Sequence, residues 1–105
     1  MKCYIISKDA AGKVTLLAQA LIRGQLQEQT FAGPFDTGNS SLSTKALAFT
    51  ILCHYFGATP GDPAAQAEAQ RQTVPFMDAF LLTHNMLPNS RYEISSDVID
   101  RFFSL

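Results

Sequence analysis

Few of the 105 residues are suited to chemistry, and Asp36 is the clearest of them. It stands in the run Phe35-Asp36-Thr37-Gly38-Asn39-Ser40, a carboxylate among small polar residues behind an aromatic. A carboxylate so placed can act as a general base, and two that share one proton can activate a water. The chain holds one such run, so a second carboxylate about 3 Å away would have to come from a symmetry-related copy. The same residues have a structural use: a turn feeding a helix N-terminus, with Asp36 accepting from backbone N–H groups. His54 and His84 are far apart in sequence, with no acidic or cysteine ligand at metal spacing. Cys53 and His54 are adjacent, so on a helix they point about 100° apart and cannot easily share an ion. Cys3 and Cys53 form no C-x-x-C and read as buried free thiols. Neither a metal nor a cofactor is expected.

Charge narrows the partners. Acidic residues number 9 and basic residues 8, a net charge of -1, and only 16% of the chain is charged against 47% hydrophobic. That composition excludes a disordered tail. The basic side chains are scattered, from Lys2 to Arg101, and form no run with aromatics. A nucleic-acid binder needs a concentrated basic field, so that class is disfavoured. Near-neutral copies repel weakly, which leaves room for a protein partner or a homodimer. The N-terminal MKCYIISKDA has no long apolar segment, and ALAFTILCHYF is too short to span a bilayer. A cytoplasmic protein with no membrane contact is expected.

The elements that must position these residues follow from periodicity. CYII and VTLLAQALI, joined by the turn chemistry of Lys8–Lys13, predict a β-hairpin, although LLAQALI could equally start a helix. After Gly24, LQEQTF is a possible third strand, and Ala32–Ser41 reads as a loop. Leu42–Phe56 is the clearest helix, capped by Asn39, Ser40 or Ser41 and closed by Gly57 in a left-handed conformation. Its main stripe is Leu42, Ala46, Phe49, Cys53 and Phe56, with Leu47 and Ile51 on another face, so the helix should be buried widely. Asp62-Pro63 starts a second helix, Ala/Gln-rich and mostly exposed. Pro75 should break or kink it, or open the next, in which Phe76 lies in register with Phe80 and Met77 with Leu81. His54 sits on a helix flank and His84 near a helix end. RYEIS is a short extended piece, and Ser95 or Ser96 caps a last helix with Asp97 in its first turn. The aromatics read mostly as core. The fold class is α+β, one domain over residues 1–105, with a small N-terminal β-sheet (a hairpin and a possible third strand) packed on three to four helices.

Two resemblances attach to these residues. Asp36-Thr37-Gly38-Asn39-Ser40 resembles the aspartic peptidase signature, and a chain of this length with one copy looks like the homodimeric retroviral type. The match is local. That family is nearly all β, and it carries a later apolar-apolar-Gly segment that Gly57 and Gly61 do not supply. More widely, FDTGNSSLSTKALAFTILCHYFG, PFMDAFLL and YEISSDVIDRFF resemble a family of small uncharacterised domains of bacterial and phage genomes. Gly38, Ser40, Leu47, Ala48, Ile51, Leu52, Phe76, Phe80, Ile94 and Ile99 occupy the matching places over roughly residues 31–103. The chain departs from that pattern at Asn39 and Ser41 in the loop and at Tyr92, where the family has Trp. The resemblance implies no activity, but an accessory role on mobile elements, for instance inhibition of a host defence complex as an anti-CRISPR protein does.

The expected function is therefore a non-enzymatic protein-interaction or regulatory module. The alternatives are a peptidase-like hydrolase using Asp36 and a small nucleic-acid-binding accessory protein. The binding residues expected are Phe35, Asp36, Asn39, Ser40 and Lys45, around the capped helix start, and Phe103, which with Leu105 is hard to bury beside Phe102. Free N–H groups after Ser41 could hold an anion, though self-capping by Asn39 to Ser41 is favoured.

Overall fold

The computed structural model describes residues 2–57 and 62–104, so the Leu105 contact and Gly61 lie outside it. The chain gathers into two compact units, Met1–Gly33 with Pro88–Leu105, and Pro34–Leu87.

The first unit is a four-stranded antiparallel sheet, order β3-β2-β1-β4, followed by a helix. Its strands are β1 (Lys2–Lys8), β2 (Val14–Ile22), β3 (Gln25–Phe35) and β4 (Ser90–Ser95). β2 resolves the helix-or-strand ambiguity of LLAQALI. Val14, Leu16, Ala18 and Ala20 are buried and alternate with half-buried neighbours, the period of a pleated strand. In register, Ala18 faces Tyr4 and Leu16 faces Ile6, while Ile94 of β4 faces Tyr4 from the other side. These residues form one continuous apolar face, all of them buried.

The β1–β2 turn is built by Asp9. Its Oδ1 accepts from the N–H groups of Ala11 at 2.9 Å and Lys13 at 2.8 Å. The β2–β3 turn has two central residues, Arg23 and Gly24, both with positive φ (52° and 78°). That is the tight turn whose twist matches its flanking strands. β3 corrects the predicted loop over Ala32–Ser41, because the strand runs on to Phe35. β4 is the extended piece RYEIS, now placed as the partner of β1. The last helix, Ser96–Ser104, starts on Ser95, whose Oγ accepts from Val98 N–H at 3.4 Å. Ser96 Oγ accepts from the backbone N–H of Lys2 at 3.0 Å, and this helix packs on β1 and β4.

The second unit is helical. α1 (Leu42–Phe56) packs against α2 (Pro63–Phe76), and a π-helical turn, Met77–Leu81, continues α2 and touches both. The termini follow the sequence reading. Ser41 caps α1, Gly57 closes it at φ 70°, and Asp62 Oδ1 accepts from Ala65 N–H with Pro63 at the first helical position.

Pro75 neither breaks the helix nor starts a new one. It lies inside the last turn of α2, where it has no N–H to donate to the carbonyl of Arg71. The ladder then widens, and Leu82 N–H reaches back five residues to Met77 C=O at 2.8 Å. Phe76 and Phe80 remain in contact across this turn, with ring centroids 4.8 Å apart.

The buried face of α1 is also a correction. Thr44, Leu47, Ala48, Ile51 and Leu52 form it, whereas the stripe begun by Leu42 stays at the margin, with Leu42 83% exposed and Ala46, Phe49, Cys53 and Phe56 half-buried. Of the aromatics expected in the core, Tyr4 and Phe76 are fully buried, and Phe49, Phe56, Phe80 and Phe102 are half-buried; Phe103, expected at a contact surface, is half-buried too.

Candidate interaction site

The loop Asp36–Ser41 joins β3 to α1 and is organised by its own side chains. Asp36 Oδ1 accepts from Thr37 N–H at 2.8 Å, and its Oδ2 accepts from the Asn39 side-chain amide at 2.8 Å. Asn39 Oδ1 accepts from Ser41 N–H at 3.0 Å and from the Thr44 hydroxyl at 2.8 Å. Ser41 Oγ in turn takes Thr44 N–H at 3.3 Å. The chain of bonds runs from carboxylate to helix cap, and α1 caps itself. The sequence favours Asp, Asn and Ser here because short side chains reach the backbone groups that a turn and a helix start leave open.

The loop is also docked. Gly38, at φ 79°, donates its N–H to Leu81 C=O at 2.8 Å. A Cβ at Gly38 would fall on the side-chain oxygen of Asn85. Thr37 is buried, and its Oγ1 has no hydrogen-bond partner among the described residues. Gly38 and Asn85 form a packing contact that the sequence did not reveal. The glycine itself, inside a run of small polar residues, was the one signal of it in the sequence.

Of the predicted binding residues, Asp36 and Asn39 are hydrogen-bonded to each other. Phe35 is half-buried at the end of β3, and Ser40 is exposed at the loop tip. Lys45 is not part of that network. It lies on α1, in an apolar groove of about 490 Å³ lined by Leu42, Lys45, Ala46 and Phe49 from α1 and by Gln70, Thr73 and Val74 from α2. Among the described residues Lys45 is the only charged one in this lining. Leu42 and Val74 are both largely exposed. The groove is half legible in the sequence: periodicity puts Leu42, Ala46 and Phe49 on one stripe, and the structure makes that stripe an open wall rather than core. Phe103 belongs to the other unit, on the last helix, with its ring edge-on to Phe102 at 5.1 Å.

The two thiols are half-buried rather than buried, and burial pushes both up from the ordinary thiol pKa. For Cys3 the nearby Glu93 carboxylate adds to the rise. Cys3 lines a hollow of about 220 Å³ with Lys2, Gln19, Leu21 and Leu26, where burial also lowers the Lys2 pKa. A raised pKa leaves a smaller fraction of each thiol as thiolate at neutral pH. No group of three His, Cys, Asp or Glu side chains gathers at metal-binding distance among the described residues. Comparison with family models, curated proteins and solved structures finds no match to this chain.

Proposed function

We propose that the protein is a non-enzymatic interaction module whose binding face is the α1–α2 groove. The observation that carries this reading is the groove itself: an open apolar trough with exposed Leu42 and Val74 on its walls and the Lys45 ammonium in its lining. Exposed apolar surface rimmed by polar groups is what a partner covers. The occupant that fits is an amphipathic segment of another protein, with apolar side chains against Phe49 and Val74 and a carboxylate on Lys45. The Asp36–Ser41 network holds the start of α1, and so the Leu42 end of the groove, in place. Asp36 is a positioning residue in this account, because both its oxygens are engaged within its own loop. The resemblance to small domains of phage and bacterial genomes supports one cytoplasmic version of this function, the blocking of a host defence complex.

The test is capture from bacterial lysate with the wild type and with a Leu42→Glu, Lys45→Glu double variant whose circular dichroism is unchanged. A protein retained by the wild type and lost from the double variant is the expected result. Capture indifferent to both substitutions, or a peptide-cleaving activity abolished by Asp36→Ala in a folded variant, overturns it.

A further inference from the structure

We infer that the free edge of β3 pairs with the same edge of a second copy, joining two sheets across a two-fold axis at Gln29. This surface lies in the sheet unit and owes nothing to the α1–α2 groove. β3 is an end strand of the sheet, its side chains exposed from Gln25 to Thr30. Natural edge strands are usually short, charged or covered, because their open N–H and C=O groups template further pairing. This one is 11 residues long, and between Gln25 and Phe35 its only charge is Glu28.

The register follows from the hairpin. A two-residue turn sets Ile22 and Gln25 as a pair that exchanges both backbone hydrogen bonds. The same register puts Gln19 opposite Glu28, whose side chains meet at 3.4 Å. Alternate residues of β3, from Gln25 through Gln29 to Gly33, therefore turn their backbone groups inward to β2. Leu26, Glu28, Thr30 and Ala32 turn theirs outward, and so does Pro34, which has no N–H to offer.

Among the antiparallel registers that join outward residues, one uses Leu26, Glu28, Thr30 and Ala32 from each copy and leaves Pro34 out. It pairs Glu28 with Thr30 and Leu26 with Ala32 of the other copy. A shift one way sets Glu28 against Glu28, and a shift the other way sets Leu26 against Pro34. The preferred register crosses its own axis at Gln29, where the two amides lie opposite each other with Cα atoms about 4.5 Å apart. Leu26, 58% exposed, gains the cover of Ala32. The net charge of -1 opposes the approach of copies only weakly.

Sedimentation equilibrium on the full chain, with Gln29→Lys and Gln29→Glu variants alone and mixed, tests this. The wild type should show a reversible monomer–dimer equilibrium. Either variant alone should weaken it several-fold, since like charges then meet at the axis, and mixing the two should restore the dimer as a heterodimer. Matching thermal unfolding confirms the fold, because residue 29 is exposed. A wild type that stays monomeric up to about millimolar concentration, as it would if the edge served a strand of some other protein, overturns the proposal. So does a dimer unaffected by these substitutions, or a mixture that fails to pair.

Discussion

Gly38 shows how much one residue can carry. Its positive φ needs the freedom of a residue without a side chain, and the space a Cβ would take is occupied by Asn85. Gly38→Ala should therefore destabilise the protein by about 1–3 kcal/mol. Chemical denaturation would register this as a lower midpoint with an unchanged slope. The same glycine that completes a catalytic-looking triplet with Asp36 and Thr37 is explained by packing. The cysteines give a pH-dependent expectation. Burial favours their neutral form, so the folded thiols hold their protons to higher pH than unfolded ones. Any stability this contributes is present below the unfolded thiol pKa and is lost as pH rises through the folded values. Alkylation of native protein should accordingly follow a pH profile displaced upward from that of protein in denaturant. Coincident profiles would contradict the assignment.

At the scale of elements, the end of α2 is where sequence rules compete. Ala/Gln-rich composition favours continuing the helix, while Pro75 removes a donor within it. The outcome is a helix that continues in a wider register, its π-helical turn bringing Leu81 C=O to the N–H of Gly38. Pro75→Ala gives back the missing N–H without disturbing the core, because Pro75 is exposed. It should raise the melting temperature, by an amount corresponding to roughly 1 kcal/mol or more. A lower melting temperature would mean that the π turn and its contact with Gly38 depend on the proline. The strands were harder to read than the helices. The sequence of β2 fits a strand or a helix, and its alternation shows only in burial; β3 lacks a buried face, and its length depends on pairing with β2 rather than on its own residues. β4 is too short to declare a partner.

For the whole molecule, charge remains the broadest constraint. The eight basic residues form no run in the sequence, so the expectation is that the protein does not retain nucleic acid even at low ionic strength, where such binding is strongest. A gel-shift titration in dilute buffer checks this, and salt-sensitive binding would revive the nucleic-acid reading. No helix among the described residues is long and apolar enough to cross a membrane.

What the sequence by itself determined is local in origin. The α+β class, the helix start at Asp62, the helix end at Gly57 and the Phe76–Phe80 pair all rest on interactions within a few residues, where periodicity and capping chemistry act; Asn39, Ser40 and Ser41 were equal candidates for the α1 cap until the structure chose Ser41. Only the tertiary structure decided which apolar stripe of α1 is buried, that β4 joins β1, and that Asn85 sits against Gly38. It alone made Leu42, Lys45 and Phe49 the wall of a groove and left β3 as an open edge. These are contacts between segments distant in the chain. Each side chain there is compatible with core or surface until the opposing element is in place, and no local propensity chooses that element.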